Sequence, residues 1–261
     1  MNFQVVLRMV PDVVEELVVG PDGKSLDPQA LRMILSETDN HALEQALLLK
    51  ERHGGTVTAV ALEAPDVDEV LFTSLAKGAG RAVKVTGDFA GARCPAVADL
   101  LAGILAPEGK PPEPDTLVLV GSQAIDDLEG ELGPCLADRL GIPFVGVVCA
   151  VTLEPARKAA VVLKEFAGGL RGEFEVSLPA VLGIQSAEKP PRYVPVAKVR
   201  AVMKSARIEE VPSPVAAAPP GVLVDRLYKP EGGRGAEMIE GTPEEIAARL
   251  ADLLRERRLI G

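Results

Sequence analysis

Positive charge is in short supply. The 261-residue chain carries 28 lysines and arginines against 38 aspartates and glutamates, a formal net charge of −10. That balance argues against a general affinity for nucleic acid, because a phosphate backbone is held mainly by Lys and Arg. No apolar run approaches the roughly 20 residues that span a bilayer. Three cysteines, Cys94, Cys135 and Cys149, are far apart and odd in number, so neither a disulfide framework nor a CxxC metal knuckle is indicated, and they read as buried or incidental thiols. The two histidines, His41 and His53, fall on the polar side or end of one predicted helix and read as surface residues. GxSxG, HExxH and DxDxDG are missing, which removes the usual frameworks for nucleophilic and metal chemistry. GxGxxG and GxxxxGK[ST] are missing too. The first apolar stretch, VVLRMVPD (5–12), holds no glycine, which disfavours an NAD-dependent oxidoreductase.

What is present is a strong alternation. Gln4–Met9, Thr56–Leu62, Arg81–Val85 and Thr116–Val120 are short apolar or β-branched runs, the pattern of strands buried on both faces of a parallel sheet. Between them lie helix-period segments: Asn40–Arg52, Asp66–Lys77, Cys94–Leu105 and Gly130–Leu140. In the first, Ala42, Leu43, Ala46, Leu47 and Leu49 form an apolar stripe while Glu44, Lys50, Glu51 and Arg52 are free to stay wet. Asp39 is placed as its N-cap and Gly54-Gly55 as its stop. Strand-helix alternation with right-handed crossovers predicts an open, doubly wound α/β sheet, mainly parallel and Rossmann-like. The N-terminal stretch, with Arg8 inside it and Pro11-Asp12 soon after, suits a first strand better than a signal peptide, and a bacterial-type cytoplasmic location is expected.

After Pro143 the pattern changes. Phe144–Val151, Ala159–Lys164, Glu173–Val176 and Ala180–Ile184 are strand-like with little room for helices between them, and Gly168-Gly169 supplies a turn. Antiparallel strands are expected to extend the sheet. A short basic segment, Lys198–Arg207, precedes PSPVAAAPP (212–220), which is too proline-rich for a helix or central strand and reads as a linker or arm. The expected organisation is an α/β domain over 1–207 and a C-terminal arm and helix over 208–261. In that last helix Thr242 caps, Pro243 takes the first position, Glu245 completes a capping box, and Ile246, Leu250, Leu253 and Leu254 share one face. The stripe must pack on its own domain or on a partner.

In a doubly wound sheet, ligands bind beyond the carboxyl ends of the strands near the switch in strand order. Gly121 stands at such an end and opens GSQAIDD, the residues Gly121, Ser122, Gln123, Ala124, Ile125, Asp126 and Asp127. Glycine permits close backbone approach, and free N–H groups at the next helix start can face a phosphate. The competing reading is a simple turn with Asp126 or Asp127 as a cap. Adjacent carboxylates point apart, so they do not form an acid/base pair. The inventory is that of a nucleotide-binding scaffold poor in catalytic side chains.

Across nearly its whole length the chain resembles the β subunit of electron transfer flavoprotein. The residues that carry the resemblance are DTLVLVGSQAIDD (115–127), GPCLADRLGIP (133–143), LPAVLGI (178–184) and PRY (191–193), supported by VVLRMVPD, ALEQALLLKE (42–51) and SLAKGAGRAVKV (74–85). The resemblance implies a heterodimer with an α subunit that holds most of one FAD. It implies an electron carrier, not an enzyme, running from flavoprotein dehydrogenases such as the acyl-CoA dehydrogenases of fatty acid β-oxidation to a membrane-associated quinone oxidoreductase. The β subunit buries a structural AMP in the conventional branch and a second FAD in the bifurcating branch. By the same resemblance, Gly121 to Asp127 is the core of the adenine-nucleotide loop, running on to Gly130 and Gly133, with Asp39 a further nucleotide-proximal acid. The dehydrogenase-recognition loop is Gln185, Ser186, Ala187, Glu188, Lys189 and Pro190.

Five positions depart from the family pattern. Ser36-Glu37 replaces Asn-Pro, Glu131 replaces a Gln that meets the phosphate, Ala167 stands in an acidic place before the Gly-rich turn, and Glu188 stands at the exposed leucine anchor. A carboxylate beside a phosphate costs free energy unless a cation or proton intervenes, and loss of an apolar anchor weakens hydrophobic docking. The alternative class, a stand-alone nucleotide-binding or nucleotide-hydrolysing α/β protein, needs a phosphate-gripping Lys or Ser/Thr and Mg²⁺ ligands, whereas the loop offers Ser122 and acids.

Overall fold

The structure, a computed structural model, describes residues 1–89, 91–107, 110–127, 130–213, 223–230 and 235–260. The chain divides into two compact units, Met1–Asp225 and Arg226–Gly261.

The first unit is built on the apolar runs. Strands β1 (Asn2–Leu7), β4 (Thr56–Leu62), β5 (Arg81–Thr86) and β6 (Thr116–Gly121) alternate with helices α1 (Glu37–His53), α2 (Val67–Lys77), α3 (Cys94–Leu105) and α4 (Leu132–Leu140). A small antiparallel pair, β2 (Met9–Pro11) and β3 (Met33–Leu35), stands apart from the main sheet. Strands β7 (Phe144–Glu154), β8 (Ala159–Glu165), β9 (Arg171–Ser177) and β10 (Ala180–Ile184) follow, then α5 (Val196–Ser205) and β11 (Glu209–Pro212).

One sheet of nine strands results, in the order β11-β5-β4-β1-β6-β10-β7-β8-β9. From β11 to β7 all neighbours are parallel, and β7-β8-β9 is an antiparallel extension. Strand β1 pairs β4 on one side and β6 on the other, so the switch point lies between β1 and β6. Alternate residues serve opposite faces. Phe3, Val5 and Leu7 of β1 join α1 and α2 in one core layer, while Val6 joins α3 and α4 in the other. Every residue of β6 is buried, as expected for a strand covered on both sides.

Four expectations shift. The first strand stops at Leu7, because Arg8 leaves the sheet to enter the crevice. The basic segment is a helix, α5, from Val196. Helix α4 begins at Leu132, with Glu131 as its N-cap. Residues 209–212, which the sequence assigned to the arm, form the edge strand β11 beside β5. Of the proline-rich stretch, 214–220 lies outside the described residues.

The second unit contains α6 (Pro243–Glu256). Its capping box is present: Glu245 N–H donates to Thr242 Oγ1 at 3.3 Å and Thr242 N–H donates to Glu245 Oε2 at 2.8 Å. Leu250 and Leu254 of its apolar stripe are exposed. Among the described residues no helix is long and apolar enough to cross a membrane.

Leu119, at the centre of β6, is fully buried between the layers. Leu119→Ala is expected to cost about 3 kcal/mol in urea unfolding of the purified chain, the usual range for a truncated core leucine; a loss below about 1 kcal/mol would contradict this packing.

Candidate functional site

The switch point is closed by charge. Asp39, in the first turn of α1, is fully buried. Its carboxylate accepts from Gly121 N–H at 2.6 Å, Arg8 N–H at 3.0 Å, Arg8 Nε at 3.0 Å and Arg8 Nη2 at 3.3 Å. Arg8 Nη1 donates to Asp127 Oδ2 at 3.0 Å and Nη2 to the Gly121 carbonyl at 3.3 Å. Asp127 Oδ1 in turn accepts from Gly130 N–H at 3.0 Å. Thr38 Oγ1 donates to the Gln123 carbonyl at 2.7 Å. The loop between β6 and α4 is thus tied to the end of β1 and the start of α1.

Burial works against the Arg8 charge, but Asp39 and Asp127 outweigh it and raise its pKa above the ordinary arginine value. A buried pair of this kind survives only with its hydrogen bonds made. Asp126 makes no such contact. Partial desolvation raises its carboxyl pKa, with Arg8 opposing and Asp127 adding to the rise.

Glycine is required at two points of the loop. A Cβ on Gly121 would lie 2.2 Å from Thr38 Oγ1 and 2.5 Å from Asp39 Oδ1, and one on Gly130, whose φ is +65°, would lie 2.7 Å from the Ser122 carbonyl. Asp39 does not cap α1 as expected. The N-cap is Ser36, with no side-chain cap bond, because the Asp39 carboxylate is taken by Gly121 and Arg8. Arg8 itself was missed as a site residue. Its signal was a single cation inside an otherwise apolar strand.

The first N–H groups of the loop are engaged: Gly121 donates to Asp39, and Ser122 N–H donates to the Ile184 carbonyl at 2.9 Å. Leu132 and Gly133, in the first turn of α4, have no acceptor within the helix, but both residues are buried, while Glu131 beside them is exposed. On this geometry the N–H groups of Gly121 and Ser122 are not open to a phosphate. A separate cavity of about 330 Å³, lined by Met9, Leu43, Val70 and Lys77 among others, contains none of the loop residues.

The second expected site, Gln185 to Pro190, is fastened to α1. Ala187 N–H donates to His41 Nδ1 at 3.1 Å, Glu188 N–H donates to Gln45 Oε1 at 3.1 Å, and Gln45 Nε2 donates to Glu188 Oε1 at 2.9 Å. Arg52 donates to both oxygens of Glu188, at 3.0 and 2.6 Å. His41 is therefore half-buried and bonded, not a free surface residue. Glu44, expected to stay wet, is 3% exposed and holds Arg192 through its Nε and Nη2. The two candidate sites touch where Ser122 Oγ donates to Gln185 Oε1 at 2.6 Å.

The electron transfer flavoprotein domain family matches residues 25–216. The chain belongs to the electron transfer flavoprotein family. It is 35% identical to the electron transfer flavoprotein subunit beta of Methylophilus methylotrophus, over 98% of each chain. It is 31% identical, over the full length of both, to the caffeyl-CoA reductase-Etf complex subunit CarD of Acetobacterium woodii. The acryloyl-CoA reductase electron transfer subunit gamma of Anaerotignum propionicum is 26% identical over the same full extent. As a β-type electron transfer flavoprotein subunit, the chain has the α/β sheet and lacks, among the described residues, any group of three or more His, Cys, Asp and Glu able to hold a metal.

Two outcomes test this geometry. Asp39→Asn removes the charge facing Arg8, and a loss of about 3 kcal/mol or more is expected in denaturant unfolding, as for other broken buried pairs; a loss under about 0.5 kcal/mol would show that the network is not holding the crevice. Desolvation raises the pKa of Cys94 to about 12, with Asp127 adding to it, and burial raises Cys135 and Cys149 as well. All three should therefore stay protonated at pH 8 and alkylate with iodoacetamide more slowly than free cysteine. A thiol labelled as fast as free cysteine would contradict these environments.

Proposed function

We propose that this subunit pairs with an α subunit that holds most of one FAD, and that the heterodimer carries electrons from a flavoprotein dehydrogenase towards a quinone oxidoreductase. The terminal arm and helix, beyond β11, dock on the α subunit. The loop Gly121 to Asp127, with Gly130, Gly133 and Asp39 around it, would hold an AMP. The observation that carries this reading is the glycine loop pinned at the switch point by Arg8, Asp39 and Asp127, in a family of electron carriers.

A bound FAD supplies the redox chemistry, accepting and giving up electrons at its isoalloxazine ring. The chain's own contribution is placement. Arg8 and Asp39 fix the loop, and Gly133 lets the start of α4 pack against Phe144. A Cβ at Gly133 would lie 2.5 Å from the Phe144 ring.

A second reading places another FAD in this crevice, as in the bifurcating branch. Its support is the similarity to subunits named for the caffeyl-CoA and acryloyl-CoA reductases.

Co-expression with an α subunit, purification, and chromatography of the released cofactors separate these. About one FAD and one AMP per heterodimer is the expected result, and two FAD would select the second reading. A colourless chain that hydrolyses ATP without an α partner would overturn both.

A further inference from the structure

The cavity of about 330 Å³ lies away from both loops, between the β2-β3 pair, the start of α1 and the length of α2. Met9, Met33, Leu35, Leu43 and Val70 give it an apolar wall. Its size falls at the lower end of small-molecule sites, which are mostly apolar with a few placed polar groups.

The polar groups are unevenly placed. Asp66 and Glu69 line the cavity from the start of α2 and are exposed, whereas Lys77 lines it from the last turn and is half-buried. Glu69 and Lys77 are eight residues apart, about 12 Å along a helix, so the acids do not neutralise the lysine. Arg32, the other cation on the lining, is exposed and turned towards Asp12 and Glu15. Lys77 Nζ donates to Asn40 Oδ1 at 2.6 Å and makes no ion pair among the described residues. Burial works against its charge, and Glu44, which favours the ammonium, is held by Arg192. An ammonium taken out of water beside one neutral partner is costly. An anion would satisfy it.

We infer that this cavity binds a small aliphatic carboxylate, with the carboxylate on Lys77 and the hydroxyl of Thr73, one turn before it, and the chain along Met9, Leu35, Leu43 and Val70. The inference stands apart from the electron-carrier reading, because the cavity shares no residue with the glycine loop or with 185–190. The buried cation supplies the charge contact, and each methylene laid on the apolar wall adds affinity. An occupant would also touch α1 at Asn40, the residue between Asp39 and His41, which reach the two loops. An aspartate or glutamate side chain of an α subunit has the same chemistry, and the test separates the two sources.

Hexanoate is titrated calorimetrically into the full-length chain and, in parallel, into the purified heterodimer, with hexanol and acetate as partial probes. Hexanoate should bind both at one site with a Kd of about 1 mM or tighter. Hexanol and acetate should bind at least about tenfold more weakly, since one lacks the charge and the other the chain. Lys77→Met should weaken hexanoate about tenfold or more and leave hexanol unchanged. Val70→Phe, which fills the cavity, should remove binding of both. Trinitrobenzenesulfonate labelling, read by peptide mass spectrometry, gives a second measure: hexanoate should slow modification of Lys77 and not of the exposed Lys198. Circular dichroism and urea midpoints report the folding of both variants.

The absence of saturable hexanoate binding to the chain and the heterodimer overturns the inference, as does binding that survives both substitutions. Binding to the chain alone, lost in the heterodimer, means that the α subunit closes the cavity; the inference then fails and the electron-carrier reading stands.

Discussion

The carboxylate of Asp39 sets the distances on which the crevice depends. It sits out of water and collects donors from two segments, Arg8 just after β1, through its N–H and its side chain, and Gly121 at the end of β6. Such a charge is costly to bury and is tolerated because its donors converge. Its position in the first turn of α1 adds the positive end of the helix dipole. The close approach it needs explains the glycine at 121, since any side chain there would enter the space of Thr38 and Asp39. One buried acid therefore decides both where the loop starts and which residue can start it. It also occupies the Gly121 N–H, which is therefore closed to any other acceptor.

Helix α1 serves two loops at once. Thr38 and Asp39 at its start hold the glycine loop, while His41, Glu44, Gln45 and Arg52 along its length hold residues 187–192. This explains why Ala42 to Leu49 is buried throughout, polar residues included. One face meets the sheet and another meets residues 187–192. Glu44 and Gln45 are stable there because Arg192, Glu188 and backbone N–H groups satisfy them.

The fold was legible because parallel strands buried on both faces leave an unmistakable record, runs such as TLVLVG with nothing polar after the first residue. Four strands and four helices of the doubly wound half were placed from that signal, and the motif resemblance identified the family. The parts that were not legible are those decided by distant residues. Helical periodicity marks Glu44 as a wet position, and its partner Arg192 lies 148 residues further on. Nothing local in EEVP announces a strand; β11 exists because the edge of β5 offers unpaired backbone, with Arg81 facing Glu209 and Lys84 facing Glu210. Arg8 lies in a sequence too apolar for its partners to be guessed, and Asp39 and Asp127 are 31 and 119 residues away.

Charge is distributed by task across the chain. Asp39, Asp126, Asp127 and Glu131 gather around the glycine loop with Arg8 bonded to two of them, whereas five exposed, unbridged cations gather between Lys189 and Arg207. If both regions served one anionic ligand, the acids at the loop would oppose what the cations attract. Separate roles remove the conflict. At the loop, Asp39 and Asp127 are satisfied at short range by Arg8 and by backbone N–H groups. The field of the exposed cations instead reaches into solvent, where a single sign of charge is most effective. Because Arg192 is neutralised by Glu44 and Glu51, the boundary between the two regimes falls at the residue just before Tyr193, where the chain leaves α1 for α5.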